Sequence, residues 1–248
     1  MTLIIPPYRK IIDLTHSYSD ETIYWPTEEG FKIEKEFDGF TDNGYYYSAN
    51  KFCSPEHGGT HIDAPIHFAQ DKDTVEKISL EKLIGQAIVI DVSEKSLNNA
   101  DYQITKDDFK DWELSFGRIP DNSIILCHTG FGKFWPDRVK YIGTKNFGES
   151  AIKELHFPGL HFESAKWLVE NRKINAIGLD TPSIDHGQSK TFETHRILCF
   201  SGIPIFENLA NLDELPQLGA FIVALPMKIE GGSGAPLRIV ALINDSKS

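Results

Sequence analysis

Apolar and polar positions alternate along this chain in short blocks rather than long stripes. Eight runs rich in branched and aromatic residues have the length and composition of strands: Ile11–Leu14, Tyr45–Phe52, Ala87–Val92, Ser123–Cys127, Ala176–Leu179, Ile203–Phe206, Phe221–Leu225 and Arg238–Leu242. Ala87–Val92 is apolar throughout except at Asp91, the pattern of a strand buried on both faces. From Phe162 to Asn171 the period changes to that of a helix, with Ala165, Leu168 and Val169 on one apolar stripe. That helix runs on into the Ala176–Leu179 strand, an order that belongs to an α/β layer. A shorter helix is predicted over Lys106–Trp112, with Thr105 as N-cap and Asp108 in the box position. Ser93–Tyr102 is polar and reads as a loop, as does much of Phe131–His156. Tyr45-Tyr46-Tyr47 reads as strand packing. Gly231-Gly232-Ser233-Gly234 has neither the basic ending of a phosphate loop nor a following helix, and reads as a hairpin turn.

Composition narrows the classes. At 248 residues the chain can bury a substantial core, and its 40% hydrophobic and 25% charged residues are ordinary for a globular protein. A formal charge of −11 argues against a nucleic-acid or anionic-membrane partner, either of which calls for a basic patch. No apolar run approaches membrane-spanning length, and Leu3-Ile4-Ile5 runs into Pro6-Pro7 too soon to be the core of a signal sequence. Cys53, Cys127 and Cys199 are odd in number and far apart, so a reducing, cytoplasmic setting is the simpler expectation.

The chemistry concentrates in His57-Gly58-Gly59-Thr60-His61-Ile62-Asp63-Ala64-Pro65-Ile66-His67-Phe68. A third of the nine histidines sit there, with a carboxylate between them. Imidazole nitrogen and carboxylate oxygen are the donors that zinc, manganese and iron(II) sites prefer. A helix would put His57 and His61 on one face, but Gly58-Gly59 and Pro65 oppose one. In an extended strand His57, His61, Asp63 and His67 share a face, yet at ~3.3 Å per residue the outer two would lie roughly 30 Å apart. Convergence therefore requires bends, and Gly58-Gly59 and Ala64-Pro65 are where bends cost least.

The same run resembles the signature of the cyclase family of metal-dependent hydrolases, which includes bacterial kynurenine formamidases and isatin hydrolases. Tyr24-Trp25-Pro26, Leu179-Asp180-Thr181-Pro182-Ser183-Ile184-Asp185, Ile205-Phe206-Glu207-Asn208-Leu209 and Ala224–Gly231 resemble further family segments, in family order. The resemblance implies an α/β fold of the swivelling β/β/α kind: a single domain over residues 1–248, with a mixed sheet flanked by helices. The strand pattern is compatible but would not select that fold alone. It implies a divalent metal, zinc or manganese, held by His57, His61 and Asp63 and by the distant His195 and Glu207. Kynurenine formamidase-like members draw on both groups. Isatin hydrolase-like members rely mainly on the first, around one manganese, so one site is expected and a second has room, with Asp63 able to bridge. His67 is implied as general acid/base; a fourth ligand or a second-layer histidine is the alternative. Trp25 is implied as substrate contact, with Tyr24, Phe68 and Ser183 beside it. Asp180 and Asp185 either orient site residues or belong to an ordinary turn.

The implied reaction is hydrolysis of a C–N amide bond in a small aromatic or cyclic amide, isatin- or N-formylkynurenine-like, by metal-activated water. A metal-dependent cyclase or dehydratase, and a metal-binding protein without turnover, are the competing readings. The extra residues of Ser93–Trp112 and Phe131–His156 lean toward the isatin hydrolase-like branch. A homodimer or homotetramer is implied by resemblance alone, since no interface stripe is legible.

Overall fold

The computed structural model describes residues 8–244; Leu3-Ile4-Ile5 lies outside them. In chain order the elements are β1 (Lys10–Asp13), β2 (Lys32–Phe40), β3 (Tyr46–Cys53), β4 (His61–Asp63), α1 (Leu80–Leu83), β5 (Ile84–Asp91), α2 (Ser93–Asn98), β6 (Gln103–Ile104), α3 (Lys106–Phe116), β7 (Ser123–His128), α4 (Arg138–Ile142), β8 (Gly159–Leu160), α5 (Phe162–Asn171), β9 (Ile174–Leu179), α6 (Glu193–Phe200), β10 (Ile205–Glu207), β11 (Leu218–Pro226) and β12 (Gly234–Ile243).

Eight strands form one mixed sheet in the order β1-β12-β11-β5-β7-β9-β10-β4. The strands β5, β7, β9 and β10 run parallel, and β11, β12 and β4 antiparallel to their neighbours. Because β4 pairs with both β10 and β12, the sheet closes on itself. Period two then sorts the side chains. Along β7, Ile124 and Leu126 join a core enclosed by the sheet with Leu14, Ile62, Phe206 and Ile239. Ile125 and Cys127 face the other way, into a core covered by Phe109 and Trp112 of α3, Leu168 of α5 and Leu198 of α6. The strand expected to be buried on both faces, β5, is buried at Ala87–Ile90.

The expected strands all appear, extended or trimmed by one to four residues at their ends. The helix over Phe162–Asn171 matches, and Thr105 and Asp108 form the capping box at the start of a longer α3. Three expectations need correction. Ser93–Tyr102 is not all loop: α2 occupies Ser93–Asn98, too short to show a period and polar because most of it faces water. Phe131–His156 carries α4 and two 3-10 turns. Its Phe131, Tyr141, Ile142 and Leu155 pack with Ile23 and Phe157 against Trp25, so it is a folded wall rather than a solvated excursion. Finally, Tyr45, Tyr46 and Tyr47 do not pack into the core. They stand 51–58% exposed at the tip of the β2–β3 ribbon, which pairs with no other strand of the described residues.

Candidate metal centre

The bends that the motif required are present. Gly58 has φ +147°, and a Cβ on it would stand 2.1 Å from the Tyr24 ring; Gly59 has φ +57° and would meet the Tyr18 ring at 2.7 Å. Two aromatic rings thus clamp the turn so closely that only glycine fits. The Tyr18 hydroxyl, between the carbonyls of Gly58 (2.9 Å) and Thr60 (2.6 Å), holds the same turn from below. After β4 the chain bends again at Ala64, and a one-turn 3-10 helix, Pro65–His67, brings His67 back. Its ring stacks on His57 with centroids 3.8 Å apart.

From the other side, β10 pairs antiparallel with β4, placing Glu207 opposite His61. The helix α6, which sequence periodicity did not show, delivers His195. Three histidines and two carboxylates converge as two donor sets, His57-His61-Asp63 and Asp63-His195-Glu207, with Asp63 common to both. Its Oδ1 lies 2.7 Å from His57 Nδ1 and 3.3 Å from His61 Nε2, and its Oδ2 lies 3.2 Å from His195 Nε2. Glu207 closes the second set: Oε1 is 3.2 Å from His195 Nε2 and Oε2 is 3.4 Å from His61 Nε2. The Ile184 N–H donates to Glu207 Oε1 at 2.6 Å, tying the carboxylate to the turn that follows Ser183.

The donor set fits a divalent cation. His61 Nδ1 lies 2.9 Å from the Gly59 carbonyl, which can only accept, so Nδ1 carries a proton and Nε2 is the atom left to meet a cation or a second proton. That Nε2 is fully buried, has no hydrogen-bond partner, and faces two carboxylate oxygens. His195 repeats the arrangement, with Nδ1 at 2.7 Å from Asp185 and Nε2 facing Asp63 and Glu207. Lone pairs and carboxylates aimed at one another repel unless positive charge lies between them. His57 differs, since its Nε2 meets the Ser233 hydroxyl at 2.9 Å.

Electrostatics follow from the same geometry. Burial disfavours charge on His61, yet Asp63 and Glu207 outweigh it and raise its pKa. Burial likewise opposes the charge on His195, where Asp185, Asp63 and Glu207 raise it well above the usual range. Asp63 is buried too, but hydrogen bonds from His195 and His57 hold it well below the ordinary carboxylate range. Glu207 is pushed up by burial and by the neighbouring Asp63 charge. His67 stands apart. Burial, with help from His57, His195 and His61 against Asp63, lowers it to about 4, so at neutral pH it is an uncharged base.

Above these groups lies a cavity of about 400 Å³. Trp25, Phe68 and Ser183 are among the residues that line it. Tyr24 also reaches it, but is 4% exposed and spends its ring on Gly58 and its hydroxyl on Ser54. Phe192 was not anticipated. It faces Phe68 at 5.5 Å and Trp25 at 6.2 Å, from a left-handed backbone (φ 48°) that a bulky side chain rarely adopts. Asn208, also left-handed, donates to the Gly59 carbonyl at 2.7 Å and accepts from Tyr141 at 2.9 Å, bracing the carbonyl that holds His61. The two aspartates of the central segment separate. Asp180 accepts from Thr129, Gly130 and Gly132 and belongs to a turn. Asp185 orients His195.

Known proteins resemble this chain over most of its length. Residues 12–186 match the family model Cyclase, described as "Putative cyclase". An isatin hydrolase of Roseibium aggregatum is 31% identical over 98% of this chain and 90% of its own length. A kynurenine formamidase of Bacillus cereus is 28% identical over 92% of this chain and 95% of its own. The solved isatin hydrolase A of Ralstonia solanacearum superposes with a TM-score of 0.84 at 32% identity, over 95% of this chain and 92% of that one. An isatin hydrolase solved with the product analogue thioisatinate superposes with a TM-score of 0.84 at 28% identity, over 95% of this chain and 93% of that one. The match over most of the chain and the relative at 31% identity place the protein in the cyclase family.

Proposed function

We propose that this protein is a metal-dependent hydrolase that cleaves the C–N amide bond of a small aromatic or cyclic amide, isatin- or N-formylkynurenine-like. The observation that carries the reading is Asp63, shared by two donor sets at the floor of a cavity walled by Trp25, Phe68 and Phe192. His57, His61, Asp63, His195 and Glu207 would hold zinc or manganese, with one site expected and a second having room. When bound, a divalent cation supplies Lewis acidity, acidifying water and polarising a carbonyl.

The side chains divide the remaining work. His67, uncharged at neutral pH, takes a proton from the water whose oxygen attacks the amide carbon. It returns that proton to the nitrogen as the C–N bond breaks, leaving a carboxylic acid and an amine. Trp25, Phe68 and Phe192 offer flat apolar surface to a ring, with Tyr24 and Ser183 completing the wall. The same proposal takes residues 1–248 as one domain, working in the cytoplasm as a homodimer or homotetramer. That no helix of the described residues is long and apolar enough to cross a membrane accords with it.

The test is to quantify bound metal in the purified protein and assay isatin and N-formylkynurenine beside His67→Ala. The expected product of a cyclic amide is heavier than its substrate by one water. A product of unchanged mass, or lighter by one water, would overturn hydrolysis in favour of cyclisation or dehydration.

A further inference from the structure

The Gly231-Gly232-Ser233-Gly234 turn does more than lead from β11 to β12. Gly234 pairs with Asp63 across the sheet, and the Ser233 carbonyl accepts the Ala64 N–H at 2.8 Å. A Cβ on Gly234 would stand 2.5 Å from His57 Cε1, so the imidazole packs against the turn backbone. The same turn holds the carboxylate of the residue before His57. Glu56 Oε2 accepts the backbone N–H of Ser233 at 2.9 Å, that of Gly234 at 3.3 Å, and the Ser233 hydroxyl at 2.7 Å. Successive turn N–H groups make a concavity for an anion. Here the anion is the chain's own carboxylate, which joining two strands does not require.

We propose that Glu56 and Ser233 are positioning residues that fix His57 as a ligand through Nδ1, the opposite choice from His61 and His195. A serine hydroxyl alone does not decide a neighbour's tautomer, because it can donate to an imidazole nitrogen or accept from it. Ser233 Oγ lies between His57 Nε2 at 2.9 Å and Glu56 Oε2 at 2.7 Å, and it has one proton to give. A carboxylate only accepts, and a hydrogen bond to a charged oxygen is stronger than one to a neutral nitrogen, so that proton goes to Glu56. The oxygen lone pair then faces Nε2. With one imidazole proton, His57 keeps it on Nε2, and Nδ1, 2.7 Å from Asp63 Oδ1, is the free donor atom. Without Glu56 the serine can turn its proton onto Nε2. The imidazole proton then stays on Nδ1, bonded to Asp63, where it blocks ligation. Asp185 orients His195 directly; Glu56 orients His57 at one remove, through a hydroxyl. The inference rests on the metal-dependent reading of the site, and its test tells the two apart.

Nuclear magnetic resonance of the zinc-loaded protein, isotope-labelled at histidine, tests it. Long-range proton–nitrogen correlations distinguish the two ring tautomers without any measurement of turnover. His57 should carry its proton on Nε2, and His61 and His195 theirs on Nδ1. Zinc competition against a chelator, followed at the His57 ring signals, then reads the affinity of that donor set. Glu56→Gln keeps an amide oxygen for the turn donors and removes the charge; it should weaken zinc binding by about tenfold. Ser233→Ala should do the same. The double variant should bind no more weakly than Ser233→Ala alone, because Glu56 acts through the hydroxyl. A Glu56 that merely braces the turn would instead give losses that add. A protein that takes up no zinc would overturn the metal-dependent reading and this proposal together. Zinc bound with the His57 proton on Nδ1, unchanged affinity in Glu56→Gln, or additive losses in the double variant would overturn this proposal and leave that reading standing.

Discussion

The Asp185 carboxylate lies 2.7 Å from His195 Nδ1 and also accepts the backbone N–H of the same residue at 3.1 Å. One side chain therefore sets the ring's tautomer and its position on α6. Turning the Nδ1 proton toward Asp185 is what points the Nε2 lone pair at Asp63 and Glu207. Asp185→Asn keeps the shape and removes the charge. Metal affinity should weaken by about tenfold, the low end of what removing such an outer partner costs. Competition titration against a chromophoric chelator measures it, and an unchanged dissociation constant would mean that Asp185 serves folding only.

His67 is placed for proton transfer rather than for holding charge. Burial keeps it neutral down to about pH 4, and its ring stacks on that of His57. His67→Ala should lower kcat by about 10²–10⁴, with metal content within error of the wild type. Loss of metal along with activity would instead make His67 a ligand.

How far the sequence foretold this site depends on distance along the chain. His57, His61 and Asp63 were legible because their spacing and the intervening glycines are local. So was the need for bends, since elementary strand geometry forbids convergence without them. His195 and Glu207 came only through family resemblance, because β10 meets β4 through sheet pairing and α6 packs on the Pro65–His67 turn after β4, neither of which a local pattern encodes. Phe192 left no signal: an aromatic before a helix reads as ordinary until the backbone shows its positive φ. The tyrosine triplet misled for a related reason. Consecutive aromatic residues say that a strand has apolar faces, not that the rest of the chain folds over them.

The strained backbone at Phe192 yields a separable test. A bulky residue held at φ 48° costs on the order of 1 kcal/mol, and glycine would remove that cost while deleting the ring. Phe192→Gly should leave the melting temperature close to wild type, since the relieved strain offsets the lost packing. KM for an aromatic amide should rise roughly tenfold, kcat changing less. A fall in kcat at constant KM would instead assign the ring to positioning His195, whose ring centroid is 6.1 Å away.

Metal loading should stabilise the fold. Asp63 and Glu207 are buried beside one another, and a bound cation relieves their repulsion in the native state alone. Cation at a hundred times its dissociation constant contributes about 2.7 kcal/mol. For a chain of this length that corresponds to a rise of about 5–10 °C in Tm. Scanning calorimetry of the chelator-treated protein, with and without added manganese or zinc, reads it directly. Coincident transitions would mean that the donor sets hold no metal.

The pH dependence of metal binding distinguishes ligands from base. Burial alone would lower the pKa of His61 and His195, but the surrounding carboxylates raise both, so protons compete with the cation for each Nε2. Below those raised values the lone pairs are occupied; above them they are free. Affinity should thus fall on acidification, by up to about tenfold per pH unit for each proton displaced. His67, already neutral above about pH 4, takes no part in that limb. His67→Ala should therefore bind metal with an unshifted acid midpoint. Asp185→Asn removes a charge that raises His195, and should move the midpoint to lower pH even as it weakens the plateau affinity. Titrating manganese affinity from pH 5 to 8 in the three proteins decides the matter. A midpoint that follows His67 rather than Asp185 would reverse the roles of acid/base and ligand.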